Sequence, residues 1–250
     1  MKLLYLTSTG NSLYVAKRLG GELISIPQAV KAGKYDFSDE MIGLVFPVYQ
    51  LSVPIYVEEF LRKVKLNSDY IFAVLTYGMM DGNAAGNLEK IADECGIHFS
   101  YISTLKMVDN FIPYFAMEKQ IKTEPNKKIE KHLDTIISHI NNAKKKSHKS
   151  SLFGVLMNKM VKNNETIGEG ITKDLWVEDT CVKCGTCASV CPIDNIKVQS
   201  TKPEFGTRCM SCMACTQNCP KNAIRLKNEK SKVRFRNQHI SLKEIQEANK

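Results

Sequence analysis

Eight of the nine cysteines fall into two copies of one pattern. Cys181, Cys184, Cys187 and Cys191-Pro192 read C-x2-C-x2-C-x3-C-P, and Cys209, Cys212, Cys215 and Cys219-Pro220 repeat it 28 residues later. The isoleucine five residues after the fourth cysteine also recurs, as Ile196 and Ile224, so the repeat is internal and true. Three cysteines at intervals of three on a tight loop can converge on three corners of an iron–sulfur cubane. The fourth, ahead of a proline that bends the chain away, points toward the other half. This reading assigns Cys181, Cys184, Cys187 and Cys219 to one [4Fe–4S] cluster, and Cys209, Cys212, Cys215 and Cys191 to a second. Structural zinc, the competing use, takes paired C-x2–4-C knuckles and has no need of a third cysteine at the same spacing. The ninth, Cys95, lies before Gly96 at an expected helix end and reads as a small buried hydrophobe.

A second group of residues suits an anion. Thr7-Ser8-Thr9-Gly10-Asn11-Ser12 follows the first apolar run and opens a helical pattern. Hydroxyls, a glycine and a helix N-terminus together make a cradle for a phosphate monoester, with the backbone N–H groups and the helix dipole favouring negative charge. The loop has no lysine and no G-x-G-x-x-G, so it is neither a Walker A loop nor a dinucleotide fingerprint. Taken alone such a turn is an ordinary helix cap; its place after the first strand is what marks it. Two later strand ends, Pro47-Val48-Tyr49-Gln50 and Thr76-Tyr77-Gly78 with Asn83 beyond, reach the same edge of an open parallel sheet, where ligands bind at the switch point. Each brings a tyrosine. Singly, either would merely cover the core; with the phosphate loop they predict an isoalloxazine stacking site, and FMN rather than FAD.

The elements that position these groups read as α/β. Leu3–Thr7, Met41–Val48 and Tyr70–Tyr77 are nearly continuous apolar runs, as expected of parallel strands buried on both faces. Helical spacing over Ser12–Leu19, Pro54–Val64 and Ala84–Cys95 separates them. A fifth strand near Ile97–Val108 and a closing helix with Ile129, Leu133, Ile136 and Ile140 on one face complete a doubly wound sheet. The expected organisation is residues 1–145 as this domain, 146–175 as a linker, 176–228 as a small α+β cysteine-rich domain, and 229–250 as a C-terminal tail. Within the linker, Ser151–Val161 has amphipathic helical spacing behind a lysine-rich tract. It reads as a connecting helix; contact of 144–161 with a membrane surface is the alternative. In the tail, Ser241 and Glu244 have the spacing of a capping box.

Composition sets the outer limits. The chain has 250 residues, 43% hydrophobic and 24% charged, with no apolar run near the ~20 residues of a membrane span. The N-terminus turns polar at Thr7, too early for a signal peptide, which predicts a cytoplasmic protein whose cysteines stay reduced. The net charge of +9 is uneven: −3 over residues 1–118, +8 over 119–162 and +4 over 163–250. That is a local patch and not a nucleic-acid-binding domain. Lys183, Arg208, Lys221 and Arg225 read as counter-charges to anionic clusters.

On these residues the chain resembles a known family. Residues 1–145, through the Ser/Thr-Gly-Asn-Ser loop, Pro47-Val48-Tyr49 and Tyr77-Gly78, are similar to flavodoxins; residues 176–228 are similar to bacterial two-[4Fe–4S] ferredoxins. The whole resembles the flavodoxin–ferredoxin fusion proteins of anaerobic bacteria and archaea. The resemblance implies a flavodoxin-like five-stranded sheet of order 2-1-3-4-5 and a two-cluster ferredoxin domain. It also implies FMN as cofactor and electron transfer with redox-protein partners. The loop Tyr49-Gln50-Leu51-Ser52 departs from it, lacking the glycine that flavodoxins often place beside the flavin N5. Two other readings remain open: an FMN-dependent reductase fed by its ferredoxin domain, and a flavin-free ferredoxin docked on an empty flavodoxin-like domain.

Overall fold

A computed structural model describes residues 1–146, 170–198 and 202–250. The expected linker helix at Ser151–Val161 lies outside these. In chain order the N-terminal part runs β1 (Lys2–Tyr5), α1 (Asn11–Leu19), β2 (Glu22–Ser25), α2 (Ile26–Lys31), β3 (Asp36–Ser38), β4 (Met41–Pro47) and α3 (Ile55–Leu61). It continues with β5 (Lys65–Asn67), β6 (Tyr70–Tyr77), α4 (Ala84–Glu94), β7 (Tyr101–Lys106), α5 (Met117–Lys122) and α6 (Ile129–Asn141).

Five of these strands form one parallel sheet of order β2-β1-β4-β6-β7. Counting its members alone, the order is 2-1-3-4-5. The apolar runs identify the central strands because parallel strands covered by helices on both faces have no wet side. Alternation sends Leu4, Ile42, Leu44, Phe46, Ala73 and Leu75 into one core, shared with Val57 and Phe60 of α3 and Leu88 of α4. Leu3, Tyr5, Val45, Phe72 and Val74 enter the other, shared with Leu13 and Val15 of α1 and Leu133, Ile136 and Ile140 of α6. Two features differ from the sequence reading. The fifth strand is shorter than 97–108, because Gly96 and the residues after it are spent on ending α4. The parallel pair β3–β5, where Phe37 is the one buried residue, is too short and polar to leave a hydrophobic signature.

The second part contains β8 (Leu175–Val177), α7 (Thr186–Ser189), β9 (Ile196–Lys197), β10 (Glu204–Phe205), α8 (Ala214–Gln217), β11 (Ile224–Leu226) and α9 (Leu242–Asn249). β8 pairs antiparallel with β11, and β9 with β10. This part is packed into the first: Met210 joins one of its cores, and Val190 and Ala214 join the other. Residues 229–250 are not a free tail. Ile240, Ile245 and Ala248 are buried in the α1/α6 core, Ser241 and Glu244 close the capping box, and Lys17 pairs with Glu244 at 2.6 Å. Among the described residues no helix is long and apolar enough to cross a membrane.

Gly43 of β4 marks how tightly the sheet packs, since a β-carbon there would collide with the Phe72 ring and Leu3 Cδ2. Gly43→Ala should therefore cost about 1–3 kcal/mol through overpacking, read as a lowered midpoint in denaturant unfolding.

Candidate metal centres and the adjoining hydroxyl loop

The cysteine loops owe their shape to left-handed backbone. Lys183 and Ser211, Gly185 and Met213, and Asp194 and Asn222 all have positive φ, and each pair is separated by the 28-residue period. The repeat is thus one of backbone conformation as well as of residue type. Alternating left- and right-handed residues curl the chain into a concave nest of N–H groups. Glycine adopts this freely at 185, whereas Met213 does so against a steric cost of roughly 1–2 kcal/mol. Backbone N–H groups reach the sulfurs in both copies: Asn195 donates to Cys191 Sγ, Ala223 to Cys219 Sγ and Ser211 to Cys209 Sγ, each at 3.3 Å.

Two cavities result. One is lined by Cys191, Cys209, Cys212 and Cys215, the other by Cys181, Cys184, Cys187 and Cys219. Each takes three cysteines from one copy of the repeat and its fourth from the other. Among the described residues no three His, Cys, Asp or Glu side chains are grouped as one shared metal ion requires. A cubane asks for something different, because each thiolate binds its own iron. Burial pushes the Cys187 thiol up to about 11 and Cys215 to about 12, and raises Cys191 and Cys209 as well as, more strongly, Cys212. Cys184, exposed, is lowered by its hydrogen bond with the Thr186 hydroxyl. Iron bound at either cavity would have to displace protons from its buried sulfurs, which would couple loading to folding.

Of the four cations expected as counter-charges, Lys183 and Lys221 line the second cavity. The other two are engaged with carboxylates. Arg225 is bound by Glu178 and Glu229, and Arg208 stands 4.0 Å from Glu59 in the N-terminal part. Cys95 is half-buried against the first core, which raises its thiol.

The hydroxyl loop lies directly beneath the cysteine module. Thr7, Ser8, Thr9 and Ser12 are no more than 4% exposed. The loop carbonyls are held from outside: Asn249 Nδ2 donates to Thr7 O (3.1 Å), Asn218 Nδ2 to Ser8 O (2.9 Å), and the Asn237 N–H to Thr9 O (2.8 Å). Gly10, at φ 96°, packs its Cα against Ile240 and Asn237. Ser8 Oγ accepts from the Tyr49 hydroxyl (3.0 Å) and from Asn110 Nδ2, which also donates to Thr9 Oγ1; Ser12 Oγ shares a hydrogen with Thr76 Oγ1. Asn11 joins Val108 O and Asn237. Asn110 belongs to Met107-Val108-Asp109-Asn110-Phe111-Ile112, a segment in which the chain resembles the fusion proteins, but the sequence assigns no site role to it or to Asn218, Asn237 and Asn249. Of the last three, only Asn218, beside Cys219, had any local reason to be noticed.

The other expected residues divide. Tyr49 is half-buried against the first core with its hydroxyl on Ser8, and its phenol is raised well above 10, by desolvation first and then by Cys212. Pro47 and Val48 are half-buried, and Val48 packs against the first core. Gln50 and Leu51 take positive φ within a Tyr49–Ser52 turn closed by two backbone hydrogen bonds, the two-residue hairpin geometry that usually needs glycine. Tyr77 is half-buried, and Gly78 packs against Asp109, whose carboxylate accepts from the Met79 N–H. Asn83 is buried and donates to Asn87 Oδ1 (3.3 Å).

The donor set suits a phosphate. The first turn of α1 has N–H groups without intrahelical partners, no capping side chain and no acidic residue. Ser8 and Thr9 accept hydrogen bonds and so keep their own hydrogens to donate. Asn218 bonds both Ser8 O and Ala214 O from a buried position, so Asn218→Ala should cost about 1–3 kcal/mol. Thermal unfolding would record the loss, and hydrogen exchange over residues 7–12 should accelerate in step.

Residues 175–197 match the family described as 4Fe-4S binding domain, a stretch that includes Cys181, Cys184, Cys187 and Cys191. No curated protein matches the chain. The chain thus joins an α/β part built on a five-stranded parallel sheet to a ferredoxin-type 4Fe–4S motif, and that motif carries a [4Fe–4S] cluster and the chemistry of iron–sulfur electron transfer.

Proposed function

We propose that this chain is an electron carrier holding two [4Fe–4S] clusters, with FMN bound by residues 7–12 of a flavodoxin-like N-terminal domain. The observation that carries the reading is the lining of the two cavities, four cysteines each in a three-plus-one exchange between repeats. Clusters pass electrons singly and a flavin holds one or two, so the pair would join one-electron to two-electron chemistry. The chain's own residues supply the rest. The uncapped first turn of α1, with the Ser8 and Thr9 hydroxyls, would bind the phosphate. Tyr49 is hydrogen-bonded to Ser8, and its phenol is raised by desolvation first and then by Cys212, which lines the first cavity. Redox proteins would be the partners, meeting the exposed rim of Val182 and Cys184.

A second reading has an observation of its own. Asn218, Asn237 and Asn249 hold all three carbonyls of residues 7–9, and the loop is buried under the module. On that ground the N-terminal domain would be a flavin-free platform for the ferredoxin module. Flavin and iron content after anaerobic purification separates the two; the first requires about eight irons and one FMN per chain.

Two further outcomes are expected. Cys219→Ser and Cys187→Ser should alter the same cluster in electron paramagnetic resonance of the reduced protein, while Cys215→Ser alters the other. A Cys219→Ser spectrum matching that of Cys215→Ser would reject the exchange. Replacing both Ser8 and Thr9 by alanine removes two hydroxyls, each worth ~1.5–3 kcal/mol toward a charged group. FMN affinity should fall by two or more decades with iron content unchanged, as measured by flavin fluorescence titration.

A further inference from the structure

Arg234 lies outside both cysteine repeats, between β11 and α9, and its side chain is only 8% exposed. Its guanidinium donates to Ser231 O (2.9 Å), to Glu229 Oε2 (3.0 Å) and to Ile224 O (3.4 Å), while its Nε is buried with no partner among the described residues. Ile224 lines the cavity of Cys181, Cys184, Cys187 and Cys219. The cation therefore stands behind that cavity's wall, bonded to the carbonyl of a residue that lines it. Arg225 approaches from the other side and binds the same carboxylate, Glu229, itself 8% exposed. Two nearly buried guanidiniums thus share one nearly buried carboxylate. The fourth member, Glu178, is 38% exposed and screened by water.

An excess buried positive charge is costly unless an anion faces it. A cubane held by four thiolates is such an anion, and it becomes more negative on reduction. The other cavity has no buried counterpart: Ile193, Ile196, Phe205, Met210 and Met213 line it, Cys212 packs against both hydrophobic cores, and Arg208, beside Cys209, is 68% exposed and stands by Glu59. A low-dielectric wall without a cation disfavours the added electron there. Resting on the two-cluster reading above, we propose that Arg234 sets the order of the two potentials, making the cluster of Cys181, Cys184, Cys187 and Cys219 the easier to reduce. With a cluster held by Cys181, Cys184, Cys187 and Cys219, the step would be a one-electron reduction from the 2+ to the 1+ state, the electron coming from a reduced redox-protein donor that is itself oxidised by one electron. No bond would form or break and no proton would move; the electron would rest at this outer cluster, on the side of the exposed Cys184.

The test is a redox titration of the intact holoprotein with dithionite, followed by electron paramagnetic resonance, with each signal assigned by the cysteine variants above. The outer cluster should reduce first. Arg234→Gln should lower its reduced-to-oxidised ratio at fixed potential roughly tenfold, about 59 mV for a one-electron couple, and leave the inner cluster unmoved. Arg234→Lys should restore most of the shift, and Glu229→Gln, which removes the shared anion, should move the outer cluster the opposite way even if Arg234→Gln fails to assemble. Equal midpoints, no shift, or a shift confined to the inner cluster with about eight irons present would overturn the assignment to Arg234 alone. About four irons per chain would overturn the two-cluster reading, and the ordering of potentials with it.

Discussion

Three successive backbone carbonyls at the end of β1 accept hydrogen bonds from residues more than 200 positions away. Thr7, Ser8 and Thr9 are met by Asn249, Asn218 and Asn237, and the rest of the molecule depends on that junction. Buried peptide oxygens must find donors, and each such bond is worth about 0.5–1.5 kcal/mol net, more when counted as the penalty for leaving it unmade. The same asparagines tie elements that have no other reason to be adjacent. Asn249 also donates to Val190 O, next to Cys191, and Asn218 to Ala214 O, next to Cys215. One end of the sheet, the C-terminal helix and the cysteine module are thereby held in a single arrangement.

That arrangement explains why so small a module can be ordered. β8 through β11 contribute pairs of two or three residues each, and α7 and α8 a single turn. Strands this short supply only a small core, Ile196 and Ile224 around Cys187 and Cys191, too little to order the module alone. Stability comes instead from side chains lent to the larger domain, such as Met210, Val190 and Ala214, and from the sulfur-facing N–H groups. The left-handed non-glycine residues at 183, 211 and 213 impose a local cost that this packing must offset.

Electrostatics divides the module into two unlike halves. One cavity is lined by hydrophobic side chains and, among the described residues, by no charged one. The other is bordered by Lys183 and Lys221 and backed by the Arg225–Glu229–Arg234 group. A sequence repeat is therefore compatible with two chemically different environments, because the surroundings come from residues outside it.

Much was legible in the residues themselves. Continuous apolar runs identified the central strands, since a strand covered on both faces has no alternation to preserve. The C-x2-C-x2-C-x3-C-P spacing gave the sulfur chemistry, and Ser241 with Glu244 gave the last helix, because these are local rules acting over a few residues. The short pair β3–β5 escaped, being too brief for periodicity to register. So did the left-handed Gln50–Leu51 turn, where packing of Gly82 against Leu51 overrides backbone preference. What tertiary structure alone decided is where the carboxyl end of the sheet faces. The sequence reads Tyr49 as an open platform and residues 229–250 as a tail; folding turns the tyrosine onto Ser8 and closes the tail over Gly10. Those contacts join residues 41 to 242 positions apart, and no local pattern encodes a partner so distant.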